Sequence, residues 1–211
     1  MKLTIVCDNE AQADDVRADW SFAAVIEAHG KRILFDTGAS GDILIHNVQT
    51  LGFAADAIDL VFVSHDHWDH TGGLPRFLEL RPVPVYVPAV FRPARAGEDF
   101  VRIGEAREIA PGFHSTGELG GQEQSLVVNL DDGVAVVVGC SHPGVGRILD
   151  AAAPFGRARA LIGGFHGFGD FGRLTDLDRI CATHCTQHKQ EIHDRFPDKC
   201  IPGGVGQVIE A

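Results

Sequence analysis

The stretch Asp59–Leu74, DLVFVSHDHWDHTGGL, decides how the rest of the chain is read. Its apolar run, Leu60 to Val63, has the length and the valine content of a buried strand. Directly after that run stand His65, His67, Asp69 and His70, a His-x-His-x-Asp-His cluster. On an extended or tightly turned backbone, side chains at i and i+2 face the same way. His65 and His67 can therefore clasp one divalent ion while Asp69 and His70 turn toward a second. The competing explanation is a polar turn that happens to be rich in His and Asp. Histidine is normally sparse, however, and Gly72-Gly73 follow at once, allowing the backbone to approach closely.

Working outward from this cluster, the N-terminal side gives LTIVCD as a strand, FAAVIEA and KRILFDTG as a hairpin about His29-Gly30, and a helix over Asp42–Leu51. On the C-terminal side PRFLEL reads as a helix and VPVYVPAV as a strand whose prolines predict an edge position. Phe91 to Glu118 has weak periodicity and reads as a variable loop with short strands. Three later units repeat one design: VAVVVGCSH, RALIGGFH and DRICATH each end a strand-like apolar run in histidine, and helices are expected after the first and third. The histidines thus gather at the strand-to-helix edge of an α/β sheet, where such folds place their sites. No linker divides the chain, so residues 1–211 are expected to form a single domain.

A metal needs at least three protein ligands, which makes His142 the expected third ligand beside His65 and His67, and His184 the expected partner of Asp69 and His70. His166, in glycine-rich GGFHGFG, suits a residue at the mouth that touches substrate as proton donor or hydrogen-bond partner, although a plain loop histidine has the same surroundings. Asp36, at the end of ILFDTG, reads either as an Asx-turn or as a carboxylate that accepts the free N–H of a ligating histidine and fixes its tautomer. Cys140 is most simply a small buried residue beside the ligands, with thiolate ligation as the alternative. Cys181 and Cys185 read as packing residues. His29, His46, His188 and His193 read as turn or surface groups.

Composition narrows the function. The chain of 211 residues is 45% hydrophobic and 22% charged, as expected of a globular protein. Its net charge of -11 repels phosphate backbones, which argues against a nucleic-acid partner. No apolar run approaches the roughly 20 residues of a membrane span. The 5 cysteines, an odd number in a chain of this size, read as reduced thiols in a cytoplasmic protein.

With His65, His67, Asp69 and His70 matched, and Asp36-Thr37-Gly38 in the expected place, the sequence resembles the metallo-beta-lactamase fold superfamily. More narrowly, LFDTG, Asn47, SHDHWDHTGGL, STGE, GCSHPG, GGFH, HCT and GGVGQVI resemble one branch. It is typified by 7,8-dihydropterin-6-yl-methyl-4-(beta-D-ribofuranosyl)aminobenzene 5'-phosphate synthase. The resemblance implies a four-layer αββα sandwich of mixed sheets with the metals at one strand edge, and ligands at His65, His67, Asp69, His70, His142 and His184. It departs from most of the superfamily in one respect: Cys140 or His142 stands where a metal-bridging Asp is usual. The segment between Leu74 and Ile109 is also short for the named branch.

The expected cofactor is a divalent metal, two zinc ions first, with manganese or iron as alternatives. Three histidines around one ion leave a position for water, whose pKa falls to about 7, and a second ion can stabilise a leaving group. Helices beginning after His142 and His184 would aim positive N-termini at the same edge and favour an anionic small-molecule substrate. The leading expectation is a hydrolase or synthase-type transferase acting on a phosphorylated, pterin-like compound, with Asp69 and His166 as catalytic groups. The alternatives are a mononuclear iron oxidoreductase of the same fold and a non-catalytic metal-binding module.

Overall fold

The computed structural model describes residues 1–92 and 100–211. Among these described residues, thirteen strands form two sheets. The first contains β1 (Lys2–Cys7), β2 (Ala23–Ala28), β3 (Lys31–Phe35), β4 (Leu60–Phe62), β5 (Val85–Pro88), β6 (Val101–Ile103) and β13 (Val208–Glu210), in the order β13-β1-β2-β3-β4-β5-β6. The second contains β7 (Glu105–Ala110), β8 (Phe113–Gly117), β9 (Leu126–Leu130), β10 (Gly133–Val138), β11 (Ala158–Gly164) and β12 (Arg179–Thr183), in the order β12-β11-β10-β9-β8-β7. Both sheets are mixed. β1, β2 and β3 are antiparallel and β3 to β6 run parallel, while β10, β11 and β12 run parallel and β7 to β10 are antiparallel. The helices are α1 (Gly41–Thr50), α2 (Trp68–Thr71), α3 (Leu74–Leu80), α4 (Val145–Ala152) and α5 (Lys189–Arg195).

The side-chain alternation of the strands builds the layers. Ile33, Phe35, Leu60 and Phe62 face Phe113, Leu126, Val128, Ala135, Val137 and Ile162 across the space between the sheets. Their neighbours Leu34, Val61 and Val63 point the other way, onto Leu44 and Val48 of α1 and Leu74 and Phe77 of α3. In the second sheet Val134, Val136 and Val138 likewise pack outward on Val145 and Ile148 of α4 and Ile192 of α5. Strands buried on both faces require continuous apolar runs, which is why VAVVV and ILF read as they do. The result is the αββα sandwich.

Two expectations are corrected and a third is filled in. VPVYVPAV is not at an edge: β5 lies between β4 and β6, and its prolines fall at its ends, where Pro84 still contributes its carbonyl to Val61 N at 3.0 Å. The segment from Phe91 to Glu118, expected as a variable loop with short strands, supplies the short strands β6, β7 and β8; residues 93–99 of it lie outside the described residues. Finally, α5 starts only at Lys189 after an intervening turn, so its N-terminus does not adjoin His184 as expected, and His188 lies at its cap. Among the described residues no helix is long and apolar enough to cross a membrane.

Candidate metal centre

Because β3 and β4 are parallel, as are β10, β11 and β12, their C-terminal ends bring Asp36, His65, Cys140, His166 and His184 to one edge of the sandwich. The chain turns sharply there. Asp36 (φ 53°), Ser141 (φ 59°), His166 (φ 45°) and His184 (φ 51°) all adopt left-handed backbone, which costs a non-glycine residue energy and clusters at functional sites. Gly139 has no room for a side chain: a Cβ would lie 2.2 Å from Ser64 Oγ, so the ends of β4 and β10 meet backbone against side chain.

Two groups of donors converge at this edge. His65, Cys140 and His142 offer atoms all within 4.8 Å of one another, and so do His70, Cys140 and His184. His67 joins the first group, its ring centroid 4.5 Å from that of His65 and 4.8 Å from that of His142, with Nδ1 3.0 Å from His65 Nε2. Asp69 joins the second, its Oδ2 3.3 Å from His184 Nε2 and 3.9 Å from His70 Nε2. The six expected ligands are therefore brought together. His166 sits on the exposed rim, its ring centroid 5.3 Å from that of His142. Ser141, His142, Gly144, Phe165 and His166 line a pocket of about 350 Å³ there.

The hydrogen bonds around the rings determine where their protons are. Asp36, fully buried, accepts from Ser64 N, Ser64 Oγ and His70 Nδ1, each at 2.7 Å. Since the Ser64 hydroxyl proton goes to Asp36, its oxygen accepts from His65 Nδ1 at 2.9 Å. Asp36 thus directs His70 itself and His65 through Ser64, leaving both Nε2 atoms as lone pairs. Burial and then the neighbouring rings keep His65 well below its ordinary pKa, and burial with His184 beside it lowers His70 to about 3, so both are neutral. Burial also pushes the Asp36 carboxyl well above the usual range against its donors.

Glu123 does for His142 what Asp36 does for His70. Its Oε2 accepts from His142 Nδ1 and His142 N, both at 2.9 Å, while its Oε1 accepts from Cys140 N at 3.1 Å and Ser141 N at 3.0 Å. Burial pushes this carboxyl up, but the His142 ring and the N–H donors outweigh it and bring it down to about 2; His142 is raised in turn by Glu123. Asn9 Oδ1 accepts from His184 Nδ1 at 3.1 Å, and Asn9 Nδ2 donates to His184 O at 3.1 Å. Trp20 Nε1 donates to Asp69 Oδ2 at 3.1 Å. Burial raises the Asp69 carboxyl, but the His184 and His70 rings overcome this and hold it below the ordinary carboxylate range.

The set fits a divalent cation. His184 Nε2 is buried with no hydrogen-bond partner, with Asp69 Oδ2 3.3 Å away. His65 Nε2, with its lone pair fixed, and His67 Nδ1 stand 3.0 Å apart, close enough to share a hydrogen bond or to hold one cation between them. Neutral imidazole, carboxylate and thiol groups are the donors that zinc, iron and cobalt accept.

Sequence reasoning missed Glu123, Asn9, Ser64 and Trp20 as members of this site, and took Cys185 for packing, although its thiol points at Cys140 O, 3.9 Å away. Trp68, which stands between two of the expected ligands, is 64% exposed.

The chain belongs to the metallo-beta-lactamase superfamily, whose family model matches residues 19–150. Among curated relatives, 7,8-dihydropterin-6-methyl-4-(beta-D-ribofuranosyl)-aminobenzene-5'-phosphate synthase of Methanocaldococcus jannaschii is 25% identical over 239 residues, covering 81% of each chain. Among solved structures, Tm1679, a metal-dependent hydrolase of the beta-lactamase superfamily, matches with a TM-score of 0.78 at 25% identity, covering 100% of this chain and 99% of that one. A diphosphatase from the PhnP family shares the fold, with a TM-score of 0.61 at 17% identity over 100% of this chain and 97% of that one.

Proposed function

We propose that this protein is a dinuclear metal-dependent hydrolase or synthase-type transferase whose substrate is a small, phosphorylated, pterin-like molecule. One ion is held by His65, His67 and His142, the other by Asp69, His70 and His184. The observation that carries this reading is the hydrogen-bond arrangement: Nδ1 of His65, His70, His142 and His184 is bonded to Ser64, Asp36, Glu123 and Asn9, which leaves four Nε2 atoms for one edge. When bound, a divalent ion supplies Lewis acidity toward a substrate oxygen and acidifies a coordinated water.

The chain's own residues supply the rest. Trp20 ties down Asp69 Oδ2, so Asp69 keeps one orientation in which Oδ1 can take a proton from the attacking group. His166, exposed above His142, can return a proton from its ring nitrogen to the leaving oxygen. Gly144, the N-cap of α4, lines the same pocket as His142 and His166, so unpaired N–H groups of the first helical turn favour an anionic substituent there. The M. jannaschii relative, named for a pterin-containing phosphate compound, supports the substrate class. The test is turnover of phosphoesters and pyrophosphorylated pterins by zinc-, manganese- and iron-loaded protein. Turnover abolished by His142→Ala is expected; metal-loaded protein with no His142-dependent turnover would contradict the reading.

A further inference from the structure

We infer that the Cys140 thiolate is the shared ligand of the two ion positions, a bridging sulfur between the His65–His142 side and the His70–His184 side. This rests on the dinuclear reading above and adds a donor to it.

The three buried cysteines, Cys7, Cys140 and Cys181, fall into two kinds. Cys7 and Cys181 are buried inside apolar clusters, Cys7 with Val6, Val25 and Leu34 and Cys181 with Ala160 and Ile162. Cys140 is equally buried, at 3% exposure, yet belongs to none of the three apolar clusters among the described residues. Its surroundings are donors. Sγ lies 3.2 Å from His70 Nε2, a nitrogen whose lone pair is fixed because its Nδ1–H is held by Asp36. Both triads of converging donors contain Cys140, and no other residue is in both. The second triad also contains the buried, unpartnered His184 Nε2, aimed into the same space. Packing of a small side chain explains neither feature.

The backbone holds the sulfur in place. Cys140 N donates to Glu123 Oε1 at 3.1 Å. A Cβ on Gly164 would come within 2.6 Å of Gly139 O, so the end of β11 is pressed against the turn that presents Cys140. A thiolate has lone pairs for two cations, and ligation replaces its proton, which leaves to solvent as the sulfur–metal bonds form; no oxidation state changes. A soft bridging donor shifts the site toward zinc, cobalt and iron(II) and away from magnesium and calcium.

The test is cobalt(II) titration of the whole, metal-stripped chain, followed in the near ultraviolet, with Cys140→Ser and Cys185→Ser beside the wild type. A thiolate-to-cobalt charge-transfer band is expected in the wild type and in Cys185→Ser, growing through two equivalents. It should vanish in Cys140→Ser, with affinity for both equivalents at least tenfold weaker. Cobalt bound without the band, a band that disappears in Cys185→Ser instead, or unchanged binding in Cys140→Ser would overturn the bridging role and leave the dinuclear reading intact. Wild-type protein that takes up no cobalt would overturn both. If Cys140→Ser does not fold, the double variant Cys185→Ser/Cys200→Ser decides, because Cys7 and Cys181 are enclosed in apolar core: a band retained there belongs to Cys140, and a band lost there overturns its role.

Discussion

Glu123→Gln removes one charge and almost no volume, and its consequences follow from four hydrogen bonds. Oε1 serves Cys140 N and Ser141 N, so a glutamine with its carbonyl on that side keeps both. Its amide nitrogen then faces two donors, His142 N and His142 Nδ1, each 2.9 Å from the present oxygen. The ring can respond by moving its proton to Nε2 and accepting from the amide. The main-chain N–H cannot. A partly buried N–H without an acceptor costs about 1–3 kcal/mol, and the remaining bonds lose their charge assistance, for a total of about 2–4 kcal/mol. The tautomer change also removes the Nε2 lone pair from the edge, and loss of such a ring-orienting partner weakens metal binding by about 10–100-fold. Urea unfolding of metal-free wild type and variant measures the first effect as a lower midpoint at unchanged slope. Chelator competition measures the second. A variant within about 0.5 kcal/mol of wild type, the range of inconsequential surface changes, and with wild-type affinity would refute the role given to Glu123.

Asp36→Asn keeps the left-handed backbone that asparagine tolerates, but leaves one oxygen for three donors; affinity at both ion positions should fall by about 10–100-fold in chelator competition, with the fold retained by circular dichroism. Phe62→Ala opens a cavity beside Phe35, whose ring centroid is 5.6 Å away between the sheets, and should cost about 3–5 kcal/mol in urea unfolding. Asp59 is held below the ordinary carboxylate range, first by Arg32 N at 2.8 Å and then by Lys31. A lowered folded pKa means that its contribution is fully present above the unfolded value of about 3.9 and is lost as pH falls through the folded value. Asp59→Asn should therefore cost under about 1 kcal/mol at pH 7 and nothing below both values, as read by urea midpoints across pH.

What could be read from the sequence was local, and what could not was long-range. His65, His67, Asp69 and His70 announce themselves because spacing alone puts them together, and Asp36, His142 and His184 because each closes an apolar run. Glu123 lies 19 residues from His142 in a loop without periodicity, and Asn9 lies 175 residues from His184. No pattern within either segment marks them; only the pairing of strands brings them to the edge. The bounds of β7, within a segment read only as a loop with short strands, were not legible for a related reason. It is the outer strand of its sheet, exposed along most of its length, so EAREIA carries no apolar face for a sequence to display.

Everything assigned to the edge of the sandwich depends on its holding metal. Elemental analysis of protein purified without a histidine tag, before and after reconstitution, tests this most directly. Two ions of zinc, manganese or iron per chain are expected, falling below two in His142→Ala and in His184→Ala. A wild-type chain that remains metal-free after reconstitution would contradict the assignment of all six ligands.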